Sequence, residues 1–158
     1  MVNYDHLLSE VPIPIDDNAK LPHPLKGLYV ELKPDKKLIL LDKSRIQSGI
    51  EQTCILAEEL GHYYTTTGNI IDLTKLENRK QELRARAWAQ EKLVPLSAIV
   101  EAHQAGTRNR HEFAERLQVT EEFLTEALKR YQEKYGLQVK VGSFTISFEP
   151  LGVIEFIE

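Results

Sequence analysis

The stretch CILAEELGHYYTTTG, residues 54–68, decides how the rest of the chain is read. Cys54, Leu56, Ala57 and Leu60 recur at helical spacing, which predicts an amphipathic helix from about Ser48 with Gly68 as a stop near its end. Its polar side is narrow and is made of Glu58, Glu59 and His62. On a helix Glu58 and His62 stand four residues apart, so they project from one face, one turn above the other, and can reach a single ion. Glu59 lies about 100° around the axis, where it could touch a water held by that ion without being a ligand. Gly61 costs about 1 kcal/mol against alanine inside a helix, which points to something packed close to the backbone there.

The spacing is one substitution away from the HExxH pattern of zinc-peptidase helices, with glutamate at 58 in place of the first histidine. Such a site takes two ligands from one helix, a proton acceptor from the carboxylate between them, and a third ligand from elsewhere. The third candidate is Glu82, on a helix predicted over roughly 76–93. Ala85 and Ala89 follow it, and side chains that small let two helices approach closely. Spacing alone leaves the alternatives open. Glu58 and His62 could be an exposed pair on a solvated face, and Glu82 a surface glutamate among Arg79, Lys80, Arg84 and Arg86. His23 and His103 are spare imidazoles, either of which could fold over the site and replace a missing ligand.

Working outward, GLYVELKPDKKLILLD, residues 27–42, reads as a β-hairpin. Leu28, Val30 and Leu32 share one face, KPDKK makes the turn, and Leu38 to Leu41 return as a largely buried strand. YDHLLSEV near the start predicts a short helix, and the proline-rich segment after it allows only an extended edge. The strand at 28–32 offers an edge to which an extended peptide could be added. Ser97 is the expected N-cap of a third helix stopping at Gly106, and Thr120 of a later one. The last segment, LQVKVGSFTISFEPLGVIEFIE, alternates at period two and reads as short strands. Strands, then helices, then strands make an α+β fold rather than a wound parallel sheet.

Composition bounds the function. The chain has 158 residues, 42% hydrophobic and 28% charged, as expected of a soluble globular domain. A net charge of −4 supplies no electrostatic drive toward nucleic acid. HEFAERLQVTEEFLTEAL has helix-turn-helix spacing, but Glu121 and Glu122 would face phosphate at the start of its second helix. That favours a packing or partner-docking bundle over a DNA reader. Cys54 is the one cysteine, expected as a buried thiol in a reducing compartment. No apolar run is long enough for a membrane span, and the acidic, proline-bearing start is unlike a signal peptide, so a cytoplasmic protein is expected. Tyr64 and Trp88 read as core aromatics.

ILAEELGHYYTTTGNI, RKQELRARAWAQEKLVPL and LKGLYVEL resemble the ImmA/IrrE family of metallopeptidases, in particular its phage and mobile-element members from Gram-positive bacteria. NYDHLLSE, VTEEFLTEALKRYQEKYG and FEPLGV extend the likeness over nearly the whole chain. The resemblance implies a zincin-like α+β core over 1–96, in which a small antiparallel or mixed sheet packs on the active-site helix. A helix-turn-helix-like segment over 97–136 and a β-hairpin over 137–158 follow. It implies that His62 and Glu82 are metal ligands, that Glu59 is the general base, and that Glu58 occupies the first ligand position. Arg86 stands where the family usually has asparagine. A Glu/His/Glu set carries two negative charges, so a bound dication polarises its water less than on a His/His/Glu set. The added oxygen donor also admits manganese or iron beside zinc. The implied function is cleavage of a helix-turn-helix repressor of the phage or mobile element in a lysogeny switch. The alternative is a non-catalytic anti-repressor that binds the same partner on a degenerate zincin scaffold.

Overall fold

The computed structural model describes residues 2–66 and 76–157, with side chains described from residue 79 onward in the second stretch. The helix stop expected at Gly68 lies outside the described residues. The chain forms two compact units, Asn3–Ala89 and Gln90–Glu158, the latter joined by the first two residues. No helix among the described residues is long and apolar enough to cross a membrane.

In the Asn3–Ala89 unit, α1 (Tyr4–Ser9) is capped by Asn3, whose side chain accepts the His6 amide at 2.8 Å. The proline-rich segment contributes only β1 (Ile15–Asp16), a short edge strand as the sequence predicts. The hairpin forms β2 (Gly27–Lys33) and β3 (Lys36–Leu41). The sheet order is β1-β3-β2, parallel between β1 and β3 and antiparallel between β3 and β2, so the expected mixed sheet is present. Among the described residues β2 is the outer strand on one side, and its unpaired edge borders the site described below. Its core face differs from the expected one. Gly27 and Tyr29 are the buried residues of the strand, while Leu28 and Val30 are half-buried and Leu32 is 58% exposed.

The reason lies in α2 (Gly49–Thr65), capped by Ser48 accepting the Glu51 amide at 3.1 Å. α2 lies against the Gly27 face of the sheet and buries Cys54, Leu56, Ala57 and Leu60. A Cβ on Gly27 would come within 2.6 Å of Ile55 Cγ2 and 3.2 Å of Glu59 Cγ. The helix approaches through the missing side chain, a contact that alternation of leucines does not reveal. α3 (Leu76–Leu93) follows.

The sheet's far end is tied down by Asp42, which is buried at 2% exposure. Its carboxylate accepts from the Leu21 amide at 3.0 Å, the Ser44 amide at 3.2 Å and Arg45 Nε at 3.3 Å. The Leu21 and Ser44 bonds hold this carboxyl far below the usual range against the opposing effect of burial, and Arg45 adds to the lowering. A depressed folded-state pKa means the unfolded chain binds the proton first, so stability is lost as pH falls from the ordinary aspartate value toward the folded one. Asp42→Asn should therefore melt earlier than the unsubstituted chain at neutral pH, with the gap closing as pH falls below about 4. Thermal melts across pH check this; a gap that stays constant into acid would remove Asp42 as the source.

The Gln90–Glu158 unit holds α4 (Leu96–Gln104), α5 (Arg110–Leu117) and α6 (Glu121–Tyr135), then β4 (Gln138–Val141), β5 (Phe144–Phe148) and β6 (Leu151–Glu155). The N-cap of α4 is Pro95, without a side-chain hydrogen bond, so Ser97 falls inside the first turn and not at the cap. Gly106 takes φ +95, a left-handed position suited to ending that helix. Asn109 and Thr120 cap α5 and α6 through the amides of Glu112 (2.9 Å) and Phe123 (3.0 Å). The expected terminal hairpin carries a third strand, and β4-β5-β6 form an antiparallel meander. Phe113, Leu124, Leu128, Tyr131, Ile146 and Phe148 fill this unit's core. Glu121 and Glu122 remain exposed at the start of α6, as the acidic reading of that helix expects.

Candidate active site

The site is assembled by the contact of α2 with α3. A Cβ on Gly61 would overlap the Ala85 carbonyl oxygen and stand 2.9 Å from its carbon. The two backbones therefore touch at the glycine that the sequence marks as a close approach and the alanine that permits it. One residue further along α2 and one turn earlier on α3, His62 Nε2 meets Glu82 Oε1 at 3.2 Å. His62 is buried and Glu82 about half so, which excludes the solvated-face reading of the histidine.

Glu58 and Glu59 open onto the same cleft as this pair. The cleft has a volume of about 810 Å³, with β2 along one side and Glu82 and Arg86 of α3 along another. Burial pushes the Glu59 carboxyl up to about 7. The charge of His62 and a hydrogen bond from the Tyr29 backbone oppose that rise, and Glu58 and Glu82 add to it. Burial favours the neutral ring of His62, yet the hydrogen bond to Glu82 and the charges of Glu59, Glu82 and Glu58 together raise its pKa. Glu82 is lowered, first by its bond to His62. His62 and Glu82 thus each favour the charged form of the other.

Whether these side chains suit a dication follows from their spacing and chemistry. Two donors each roughly 2.1 Å from one tetrahedral ion stand about 3.2–3.5 Å apart, the separation a shared ion would require. The 3.2 Å between His62 Nε2 and Glu82 Oε1 meets it, with the ion replacing the proton they now share. Glu58 lines the same cleft. Among the described residues, however, no three His, Cys, Asp or Glu side chains are gathered closely enough to hold an ion. Two of the expected ligands are paired, and Glu58 shares their cleft without closing the set. His62 Nδ1 is buried with no hydrogen-bond partner among the described residues, whereas a ligating histidine normally donates that N–H to a carboxylate or carbonyl.

Of the spare imidazoles, the one in the same unit as the cleft is not drawn in. His23 is exposed and does not line the cleft. The reading of Tyr64 as core is corrected, while Trp88 is half-buried. Tyr64 is 52% exposed and stacks on Trp88, ring centroids 5.0 Å apart at 21°. Aromatic content cannot separate a surface stack from a core pair, because both sit on one helical stripe. The backbone of Tyr29 as a partner of Glu59, and Gly27 as the gap that admits it, carry no sequence signal beyond a glycine at a strand start.

No curated protein and no solved structure matches the chain. A family model does match, that of the IrrE N-terminal-like domain of the M78 peptidases, over residues 18–129 of the 158. The matched stretch contains β2, β3, α2 and α3, and with them every residue of the cleft. The chain belongs to this family, which is generally one of metallopeptidases and so implies a divalent metal ion.

Proposed function

We propose that the chain is a metal-dependent endopeptidase of a phage or mobile element, acting on its cognate helix-turn-helix repressor. The observation that carries this reading is the close approach of Gly61 to Ala85, which delivers His62 to Glu82 beside Glu59 in one cleft. Glu58, His62 and Glu82 would hold the ion, zinc or a harder dication such as manganese. A bound dication supplies Lewis acidity toward a peptide carbonyl. Glu59 takes the proton of the attacking water, its buried carboxyl being poised near neutral pH for that exchange. The cleft's apolar walls limit water around the reacting bond.

The free edge of β2 offers the peptide a line of backbone partners along the cleft. Bound this way, a peptide should lose affinity when alternate amides are N-methylated in one phase and keep it in the other. Equal effects of both phases would argue against an added strand.

The metal set is tested by elemental analysis of protein purified without added metal. The expectation is about one divalent ion per chain, lost in His62→Ala and reduced in Glu82→Gln. Ion content unchanged in both variants, or no ion in the unsubstituted chain, would sink the ligand assignment. A second reading, a non-catalytic anti-repressor, is favoured by one observation: Glu58 stands in place of the first histidine and the three-donor set is not closed among the described residues.

A further inference from the structure

We infer that Arg86 selects the substrate by binding a carboxylate carried by an extended peptide; the peptide's identity as substrate rests on the endopeptidase reading. Arg86 is exposed, lies on the cleft and stands one helical turn beyond Glu82. Glutamate four residues before arginine is the favourable order for an ion pair along a helix. Here Glu82 instead turns to His62 at 3.2 Å. Arg86 senses its charge, but forms no ion pair within 4.0 Å among the described residues. The other cation of the cleft, Lys26, is already held by Glu51 at 2.6 Å. Arg86 is therefore the cleft's uncommitted cation among the described residues, with its N–H donors turned to no protein acceptor.

Guanidinium presents a planar fork that fits a carboxylate with two parallel hydrogen bonds, which an ammonium cannot reproduce. The carboxylates around it have other roles: Glu58 and Glu82 toward the ion, Glu59 toward water, and Glu31, which also lines the cleft, toward the Tyr29 hydroxyl. The remaining lining is largely aliphatic, from Leu28, Val30 and Ile55. The ligand that satisfies both halves is a peptide with apolar side chains and one carboxylate, from an acidic side chain or from a chain terminus.

The test uses full-length protein carrying Glu59→Gln, so that binding is read without turnover, and four fluorescein-labelled octapeptides of alternating leucine and serine. Three are amidated and carry Glu, Gln or Lys at the centre; the fourth carries Gln and a free C-terminal carboxylate. Fluorescence anisotropy should show a carboxylate-bearing peptide bound about tenfold tighter than the amidated Gln peptide, and the Lys peptide weakest. A gain with the central Glu peptide assigns a side chain, and a gain with the free terminus assigns a chain end. Arg86→Ala should erase the preference, Arg86→Lys should keep only part of it, and Arg86→Glu should reverse it toward lysine. The same ranking in Arg86→Ala, equal binding of all four peptides, or no binding at all overturns the inference. Carboxylate preference in a chain that cleaves nothing would leave Arg86 its role and remove the peptidase. Repressor cleavage indifferent to Arg86→Ala would do the opposite.

Discussion

Glu59→Gln is expected to lower repressor cleavage by about 10²–10⁴-fold, the usual contribution of a positioned general base, while leaving the bound ion in place. The amide has nearly the same shape as the carboxylate but cannot accept the proton. The surroundings of Glu59 explain the size of the effect. Its carboxyl is packed under β2, its pKa is pushed by burial up to about 7, and a hydrogen bond from the Tyr29 backbone holds it in position. A base whose affinity for protons lies near the working pH exchanges them most effectively. Mass spectrometry of a repressor incubated with each protein reads the cleavage, and a reporter under repressor control reads the regulatory outcome. Undiminished cleavage by Glu59→Gln would remove this residue from its role. Relief of repression that persists in the variant, with no cleavage by either protein, would leave the anti-repressor as the function.

The centre of the site was legible in the sequence because helices impose strict spacing. Glu58 and His62 must share a face, Gly61 inside a helix signals a neighbour at close range, and the small residues Ala85 and Ala89 allow one. Spacing alone leaves Glu82 open to being a surface glutamate, and its role comes from the family resemblance; the structure places it 3.2 Å from His62. What sequence could not supply is contact between faces whose residues alternate ambiguously. On β2 Leu28, Val30 and Leu32 are the more apolar alternate set, yet Gly27 and Tyr29 on the other face can also be core. The choice fell to Gly27 and Tyr29 because α2 needs the space of a missing side chain at Gly27. Tyr64 and Trp88 pose the same ambiguity on helices. The cap of α4 falls two residues before Ser97, at Pro95, which follows the end of α3 at Leu93 and takes an extended backbone without a side-chain cap bond. The third terminal strand, β4, is four residues of mixed polarity that pair only because β5 is there to receive them.

Gly61→Ala should destabilise the Asn3–Ala89 unit by about 1–3 kcal/mol, the usual cost of inserting a methyl group into a packed contact, and abolish retention of the ion. The sign needs argument, because alanine in a helix interior is ordinarily favoured over glycine by about 1 kcal/mol. Two facts decide against that gain. The added Cβ overlaps a backbone carbonyl, that of Ala85, which cannot rotate away as a side-chain end can. Relief therefore requires α3 to move off α2, and the distance that grows first is the one between His62 and Glu82, immediately beside the contact. Gly49 is the internal control, since a Cβ there meets nothing within 4 Å; Gly49→Ala should be neutral or mildly stabilising. Ala85→Gly cannot rescue Gly61→Ala, because the obstruction is main chain and remains when the side chain is removed. The readouts are melting temperature, expected to fall by roughly 5–15 °C in Gly61→Ala, and ion content by elemental analysis. A Gly61→Ala protein as stable as the unsubstituted chain, and still holding its ion, would mean that α2 and α3 do not touch at this point, and the pairing of His62 with Glu82 would lose its cause.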